Sequence, residues 1–327
     1  MYLAEIKESN HELASAELNS AGDVREEYTG VAVTPYVDHP EYLAMTHRIN
    51  RYLGKTELQG DGFTEEDREA VLRMVEAADT EFEGSYSVRV KTVGNQDSSV
   101  ESLERDAGSL LFGDSRSVDL EKPEHRYRLI FTDGHCFFGR ELVETGSFEE
   151  RKPMEKPYFR PGCMDPMTAR ALTNLAGGQE GAVLLDPMCG TAGVLIEAGL
   201  CGADTLGFDV EPEILRGARM NQDEYLDSRY ELCLGDAANL PLPDDSVDCA
   251  VTDLPYGKAS LVEGKSLDGL ICGVLDELDR VVKGRVVVVS DGWISEKAED
   301  AEFEVKKVIT DRVHRSLTRK IHVLHRT

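Results

Sequence analysis

The sequence is poor in basic residues: Lys and Arg together number 36 against 62 Asp and Glu, a formal net charge of −26. A nucleic-acid-binding protein ordinarily shows a basic footprint, so this acidity argues against that class at low ionic strength. At molar salt, however, the Debye length is about 3 Å, and a global negative field does not repel RNA over any distance. Because lysine is also scarcer than arginine, the composition predicts a halophilic protein from a salt-loaded cytoplasm.

Cysteine pairs and long apolar runs are missing as well. The 7 cysteines include no C-x-x-C pair, which predicts reduced, buried thiols without disulfide bonds or a zinc site. His322 and His325 fall in a predicted strand and would point to opposite faces, so we expect no metal there. The sequence has no apolar run of membrane-spanning length and no recognisable signal peptide, which predicts a cytoplasmic protein.

Two nucleotide-binding motifs are absent from a glycine-containing turn in the second half. Residues 183–187 predict a buried strand, 188–193 the turn and 194–200 the start of a helix. The turn has neither the G-x-G-x-x-G pattern of a dinucleotide fold nor a P-loop lysine, which disfavours a pyrophosphate ligand. The helix N-terminus can still accept a carboxylate, such as that of a methionine moiety.

Carboxylates are what the second half does contain, one after each of four successive predicted strands: Asp186, Asp209, Asp236 and Asp253. Asp is common at strand ends and helix caps, so each alone can be structural. Together they predict a site at the carboxyl edge of a parallel sheet, with Asp209 on ribose hydroxyls and Asp236 on an adenine amino group. A cationic ligand without phosphate suits them, which favours S-adenosylmethionine. The predicted cofactor contacts are Asp186, Cys189, Gly190, Thr191, Asp209, Asp236 and Ala237.

The fourth strand ends in Asp253-Leu254-Pro255-Tyr256, within VDCAVTDLPYGK. The exocyclic amine of a nucleobase attacks a methyl donor only if hydrogen-bond acceptors draw its lone pair out of conjugation with the ring. The Asp253 carboxylate and the Leu254 carbonyl can do this, and Pro255 fixes the direction of that carbonyl. Tyr256 offers a flat face to an unstacked base. These four residues are the predicted catalytic site, although Asp-X-Pro-Tyr also occurs in ordinary turns.

Residues 157–327 resemble class I methyltransferases that modify guanine N2 in tRNA, in particular the archaeal tRNA guanine-10 N2-methyltransferase family. The resemblance rests on the order PYFRPGCMDP, LLDPMCGTAGVLIEA, GFDV, GDA, TDLPYG and DRVHRSLTRKIHV. It implies a Rossmann-like sheet, S-adenosylmethionine as donor, tRNA as substrate and, for some relatives, a small zinc-ribbon activator protein as partner. The sequence departs from the family's usual PFCGTGG turn at Met188 and Ala192, and Cys163 stands where the family more often has Thr.

Residues 1–150 alternate predicted strands and amphipathic helices without a cofactor turn, an α+β pattern. The predicted strands are MYLAEI, YTGVAV, YSVRVKTV, RYRLIF and CFFGRELV, and the predicted helices are HELASAEL, EYLAMTHRINRYL, EEDREAVLRMVEAA and VESLERDAGSLL. Thr64 is a predicted N-cap with Phe63 as a staple, and Asp133-Gly134 predicts a hairpin turn. The order of elements is similar to a ferredoxin-like domain followed by a THUMP domain, which implies binding of the tRNA acceptor end. A dimerisation or purely structural domain is the alternative.

These patterns divide the chain into a ferredoxin-like domain at 1–55, a THUMP RNA-binding domain at 56–150, a linker at 151–164 and a methyltransferase domain at 165–327. The linker lies in SFEERKPMEKPYFRPG, which is rich in proline and charge. Basic residues cluster there and around Arg312, and we expect them to contact RNA, although a solvated linker and an edge-strand pattern also explain them. The predicted RNA contacts are Arg151, Lys152, Lys156, Arg160, Arg315, Arg319 and Lys320.

The sequence therefore predicts a tRNA guanine N2-methyltransferase, with position 10 implied by the resemblance. Three alternatives stay open: methylation of adenine N6 or rRNA guanine N2, a non-catalytic RNA-binding subunit, and methylation of glutamine amides in proteins. The intact tetrad disfavours the second alternative, and the front half disfavours the third. The sequence does not decide between mono- and dimethylation, the oligomeric state or the need for an activator.

Overall fold

The computed structural model describes residues 1–59, 62–94, 100–227, 229–256, 266–315 and 317–326. The chain forms two units, a front unit of Met1–Glu41 and Met45–Thr145 and a rear unit of Tyr42–Ala44 and Gly146–Thr327. Each unit contains a sheet of its own.

The front unit combines one sheet with three helices among its described residues. The strands are β1 (Tyr2–Ile6), β2 (Glu26–Tyr28), β3 (Val31–Thr34), β4 (Thr46–Glu57), β5 (Gly84–Thr92), β6 (Arg116–Val118), β7 (His125–Thr132) and β8 (His135–Glu144). The helices are α1 (His11–Ala21), α2 (Glu65–Ala77) and α3 (Val100–Leu110). The sheet order is β2-β3-β1-β4-β8-β7-β5-β6, so strands from both predicted front domains, 1–55 and 56–150, lie in one sheet. Their assignment as separate ferredoxin-like and THUMP domains stays a prediction.

Two local predictions for the front unit are confirmed. Thr64 caps α2 in a capping box with Asp67, in which each side chain bonds the other residue's backbone amide. Asp133 and Gly134 join β7 to β8 with φ of 45° and 71°, the left-handed pair of a tight hairpin. Phe63 packs edge-on against Phe131 at 5.4 Å between ring centroids, which ties the start of α2 to the sheet.

The predicted helix EYLAMTHRINRYL is wrong, because most of it forms strand β4. Apolar residues recur there at helical spacing, but β4 pairs with β1 on one side and β8 on the other. Asn50 is fully buried in the strand, and its Nδ2 donates to the Leu3 carbonyl at 3.1 Å. Pairing on both edges therefore overrides the local pattern, as tertiary context often does.

The rear unit contains a seven-stranded sheet among its described residues. The strands are β9 (Val183–Asp186), β10 (Asp204–Asp209), β11 (Tyr230–Leu234), β12 (Cys249–Asp253), β13 (Arg285–Ser290), β14 (Phe303–His314) and β15 (Leu317–Arg326). The helices are α4 (Pro166–Ala176), α5 (Gly193–Leu200), α6 (Pro212–Tyr225), α7 (Leu267–Val281) and α8 (Ser295–Asp300). The order is β11-β10-β9-β12-β13-β15-β14, with β15 antiparallel to its two neighbours and the first five strands parallel.

The order of the rear strands reverses at β9, which places a site there. Strands β10 and β11 lie on one side of β9, and β12 and β13 lie on the other. A crevice forms outside the carboxyl ends of the strands at such a reversal. Residues 286–289 of β13 are fully buried, as expected for a parallel strand covered on both faces. The predicted Rossmann-like α/β sheet is confirmed.

Candidate functional site

A cleft of about 220 Å³ opens at the carboxyl ends of β9 and β12. Its lining brings together the predicted turn and Asp253, the first residue of the predicted tetrad, although they are far apart in the sequence. The lining residues on these two segments are Asp186, Met188, Cys189, Gly190, Thr191 and Asp253. Cys163 also lines the cleft, with Sγ 3.1 Å from Thr191 Oγ1, so its thiol contacts the turn.

Asp186 is almost fully enclosed at the bottom of this site, with 3% of the residue exposed. Its Oδ1 accepts a hydrogen bond from the Met188 amide at 3.1 Å. Burial, with added repulsion from Asp253 and Asp209, raises the pKa of Asp186 to about 8. A cation that enters the cleft would stabilise the ionised carboxylate and reverse this shift.

The turn between β9 and α5 depends on two residues with left-handed backbone, Gly190 at φ 51° and Ala192 at φ 65°. The Gly190 amide donates to Asp209 Oδ2 at 3.1 Å, which ties the turn to the end of β10. Ala192 is the N-cap of α5 and is fully buried. It is one of the two departures from the family's usual turn, and it carries a Cβ where glycine fits without strain.

Asp209 and Asp236 follow the neighbouring strands and are not among the residues that line the cleft. Asp209 already accepts backbone hydrogen bonds at both oxygens, Oδ2 from Gly190 at 3.1 Å and Oδ1 from Glu211 at 2.9 Å. Burial raises the pKa of Asp209 in spite of these bonds. Asp236 Oδ1 accepts from the Ala238 amide at 3.0 Å, and Ala237 beside it is buried. Their predicted contacts with ribose and adenine stay predictions.

Arg319 of β15 contacts two residues of the tetrad, Tyr256 and Asp253. The Tyr256 hydroxyl donates to Asp253 Oδ1, and Arg319 Nε donates to the Tyr256 hydroxyl oxygen at 3.0 Å. Arg319 Nη2 also lies 3.8 Å from Asp253 Oδ2. Burial raises the pKa of Asp253 to about 6, against the opposing effects of Tyr256 and Arg319. The carboxylate and the phenol ring are therefore fixed relative to each other before any substrate arrives.

The backbone of the tetrad is anchored to the next strand. The Leu254 amide donates to the Val289 carbonyl of β13 at 2.9 Å, and Leu254 is 3% exposed. Pro255 follows and leads to Tyr256 at the rim of the site. Gly257 and Lys258, the last residues of the predicted motif, lie outside the described residues.

The predicted RNA contacts divide into two groups. Solvent reaches Lys152, Arg160, Arg315 and Lys320. Three others are turned inward: Arg151, Lys156 and Arg319. Arg151 pairs with Glu197 at 2.7 Å, and Lys156 and Arg319 are 6% and 5% exposed. In this conformation the inward group is not presented to a phosphate backbone.

The segment predicted as a linker, 151–164, belongs to the rear unit. The Tyr158 amide donates to Asn221 Oδ1 at 2.8 Å, and Asn221 Nδ2 donates back to the Tyr158 carbonyl at 2.9 Å. The Tyr158 ring fills the space beside Gly217, where an added Cβ would lie 2.1 Å from the ring. The segment therefore forms one wall of the site, on which Cys163 is carried.

The sequence analysis did not single out Trp293, an exposed residue that comes shortly after β13. The residue is 65% exposed, with Lys320 Nζ 4.7 Å from its ring centroid and the His322 ring edge-on at 6.3 Å. The available signal was that the chain has 1 Trp, placed after the fifth strand of the rear sheet. The contact of Arg319 with Tyr256 could not be predicted from a local pattern, because the two residues are 63 positions apart in the sequence.

The remaining predictions concern the state of the cysteines, metal binding and membrane-spanning segments. The 7 cysteines are free thiols, four of them buried. Within the described ranges, no group of three or more His, Cys, Asp or Glu side chains is arranged to hold a metal ion. In that same part of the chain, no helix has both the length and the apolar character needed to cross a membrane.

Comparison with known proteins gives matches over the whole chain. Residues 153–321 match the family described as UPF0020, an RMKL-like methyltransferase domain. The chain is 35% identical over 249 residues to the tRNA (guanine(10)-N2)-dimethyltransferase of Methanothermobacter thermautotrophicus, covering 74% of this chain and 73% of the relative. It is 28% identical to the Pyrococcus abyssi protein of that name, covering 99% of both chains. The crystal structure of TrmN from Thermus thermophilus is similar with a TM-score of 0.55 and 21% identity, covering 100% of this chain and 99% of that one, which supports the fold.

Proposed function

Because the chain belongs to the UPF0020 family of RMKL-like methyltransferase domains, we propose that it methylates N2 of guanosine 10 in tRNA, with S-adenosylmethionine as donor. The donor and the chemistry, guanine N2 methylation of RNA, are those of the family and its relatives. The tRNA substrate and position 10 come from the names of relatives, one of which aligns along 99% of the chain. The proposal rests on one observation, the Asp253–Tyr256–Arg319 cluster beside the cleft.

The cleft fits a cationic donor that lacks phosphate. Asp186 has a raised pKa because burial leaves it short of compensating positive charge, which a sulfonium would supply. The Gly190 and Cys189 amides are already bonded to Asp209 and to Phe208, so they do not form an open nest for a pyrophosphate. The residues proposed to hold the donor are Asp186, Cys189, Gly190 and Thr191, with Asp209, Asp236 and Ala237 toward the ribose and adenine.

S-adenosylmethionine supplies an electrophilic methyl group. Asp253 and the Leu254 carbonyl accept the N–H groups of the guanine amine, while Tyr256 supports the face of the extruded base. Arg319 holds the side chains of Asp253 and Tyr256 in a fixed relative position, so we propose it as a positioning residue. As the bond between the nitrogen and the methyl group forms, the bond between that methyl group and the sulfonium sulfur would break and leave a neutral thioether. The methylated nitrogen is acidic, so Asp253 is basic enough to receive its proton. Positioning of this kind contributes roughly 7–11 kcal/mol in well-oriented reactions.

The outward-facing basic residues are proposed to bind the tRNA backbone around the site. Lys152 and Arg160 each keep 47% of the side chain exposed, and their partners Glu149 and Glu211 are exposed as well. Exposed ion pairs are weak, so a phosphate can compete for these cations. The front unit is proposed to bind a second part of the tRNA, as the THUMP resemblance implies.

Methyl transfer to tRNA transcripts tests the proposal. Three transcripts would be compared, with guanosine, inosine or adenosine at position 10, and the products digested for nucleoside mass spectrometry. Inosine has the base shape of guanosine without the 2-amino group, so we expect transfer to the first transcript alone. A time course would also show whether dimethylguanosine follows monomethylguanosine.

A methylated inosine or adenosine nucleoside in the digest would contradict guanine N2 as the target. Transfer to guanosine elsewhere in the tRNA would keep the chemistry and remove position 10. A zinc-ribbon activator stays a prediction as a partner: full activity of the purified chain alone would show that none is required.

A further inference from the structure

Lys156 is a largely buried cation that forms no hydrogen bond or ion pair with the described part of the chain. The residue is 6% exposed, and burial lowers the pKa of its amine. Among the described residues, its Nζ has neither a hydrogen-bond acceptor nor an ion-pair partner within 4 Å. Burying a lysine amine without a partner is costly, and folded chains do so where a ligand or a charge meets it.

The amine lies beside the first turn of α5. An ideal Cβ built on Gly193, the first residue of that helix, would be 3.7 Å from Lys156 Nζ. Gly193 and its neighbour Thr191 also line the cleft. The N-terminus of a helix carries a partial positive charge, so the ammonium adds to that charge and does not neutralise it.

The surrounding ion pairs leave an excess of positive charge here. Glu197 is 1% exposed and pairs with two arginines, Arg151 at 2.7 Å and Arg170 at 2.9 Å. With Lys156, three largely enclosed cations face a single enclosed carboxylate; Asp165, the other acidic group near Lys156, is exposed. The cluster is therefore short of negative charge, at the point where the cleft meets the helix.

The wall that carries Lys156 is held in place by hydrogen bonds to α6. Tyr158, two residues further on, is held at both its amide and its carbonyl by Asn221, at 2.8 and 2.9 Å. Asn221 Nδ2 also donates to the Thr191 carbonyl at 3.0 Å, which ties this wall to the turn. The amine and the start of α5 are thus held close together.

We propose that Lys156 binds the α-carboxylate of the donor's methionine moiety, together with the N-terminus of α5. This inference rests on the proposed function, because it takes S-adenosylmethionine as the ligand. It reassigns Lys156 from RNA contact to donor selection. A carboxylate at this point would neutralise the excess charge and would accept charge-assisted hydrogen bonds from the ammonium.

Calorimetric titration with two donors tests the inference. The full chain would be titrated with S-adenosylmethionine and with its decarboxylated analogue, which lacks only the α-carboxylate. We expect the wild-type protein to prefer the carboxylated donor by roughly 10- to 100-fold, the usual effect of a hydrogen bond to a charged group. Lys156→Met should lose most of this preference, while its affinity for the decarboxylated analogue stays close to that of wild type. Lys156→Arg should keep part of the preference, because it keeps the charge.

Lys283→Met is the matched control, because Lys283 is 53% exposed and pairs with Asp248 at the opposite end of the sheet. Its preference should equal that of wild type. A Lys156→Met protein that weakens both donors equally would show a structural role only, and one that keeps the full preference would overturn the inference. If wild type binds neither donor, the proposed function fails. Thermal melting of each variant would separate misfolding from lost binding.

Discussion

Buried carboxylates are treated differently in the two units. In the front unit, Glu5 is fully buried and fully partnered: Arg128 lies 2.5 Å from it, Lys91 lies 3.3 Å from it, and Asn50 donates to it at 3.3 Å. In the rear unit, Asp186 is almost as enclosed, but no cation among the described residues pairs with it, and its pKa rises to about 8. A carboxylate with its cations in place stabilises a fold, whereas one without them is prepared for a positive ligand.

Buried carboxylates with and without cationic partners also occur side by side within the rear unit. Glu197 of α5 is paired with Arg151 and Arg170 in the manner of Glu5. Asp253 is intermediate, because Arg319 lies near it at 3.8 Å and burial still raises its pKa to about 6. We therefore expect the degree of pairing to distinguish supporting residues from those proposed to contact donor or substrate.

The largest expected effect is on stability and lies in the front unit. Glu5→Ala leaves Arg128 and Lys91 without their buried partner, and such a loss typically costs about 3–5 kcal/mol. The free energy of unfolding would be measured by denaturant titration at fixed salt. Glu69→Ala, at an exposed pair with Arg73, is the control and should change it by less than about 1 kcal/mol. Equal effects of the two substitutions would remove the distinction between the units.

Asp253→Ala should act on rate and not on stability. Loss of one positioned group of this kind costs about 10²–10³ in turnover, equivalent to roughly 2.7–4 kcal/mol. Donor affinity should be nearly unchanged, because Asp253 is proposed to contact the guanine amine and not the donor. Single-turnover transfer to tRNA and donor titration would be measured together. Asp248→Ala, beyond the other end of β12, is the matched control and should keep the wild-type rate; a slow control would point to a structural effect.

Donor affinity should depend on pH through Asp186. Its pKa is about 8, so at pH 7 the carboxyl is mostly protonated, and binding of a cation releases that proton. Affinity should therefore weaken by about tenfold for each pH unit below 8 and level off above it, since one pKa unit corresponds to about 1.4 kcal/mol. Calorimetry in two buffers of different ionisation enthalpy would detect the released proton. Asp186→Asn should abolish the release; an unchanged release would assign it to another group.

A smaller effect is expected at the start of α2. Thr64→Ala removes one side of the capping box and should lower the free energy of unfolding by about 1 kcal/mol. Methyl transfer at a temperature where the variant is folded should be unchanged, because Thr64 lies in the front unit. A loss of rate without a loss of stability would show that the front unit affects the chemistry.

The smallest expected effect, counted per residue, is that of salt on thermal stability. We expect it in both units, because the charge is spread over the chain. The net charge of −26 repels itself at low ionic strength, and counterions relieve this repulsion. The melting temperature should rise from dilute to molar KCl. A melting temperature that stays constant or falls with KCl would contradict the halophilic interpretation. The acidic composition would then again argue against RNA binding.

The sequence predicted what depends on short segments. The strand, turn and helix from Val183 to Leu200 were predicted because apolar runs and glycines lie within one short segment. The hairpin at Asp133-Gly134 and the cap at Thr64 were predicted for the same reason. Strand β4 was not, because its two partners are distant in the chain.

The candidate site was predicted only in part, for a related reason. The tetrad and the turn are continuous motifs, and the structure places both on one cleft. Arg319 and Lys156 were both assigned to the RNA surface, because a basic residue in a polar segment has no local signal of burial. Their inward positions depend on contacts across the rear unit, such as that between Tyr158 and Asn221.

The position of the single tryptophan has a spectroscopic consequence. Trp293 is 65% exposed, and the chain has 1 tryptophan, so excitation of the indole yields one emission band. The band should lie at the long wavelengths typical of a hydrated indole, and its intensity should respond to the ammonium of Lys320 at 4.7 Å. Any molecule that covers the loop after β13 would change this emission. The protein thus carries its own fluorophore on the loop after β13, and binding to that loop can be followed in real time without a label.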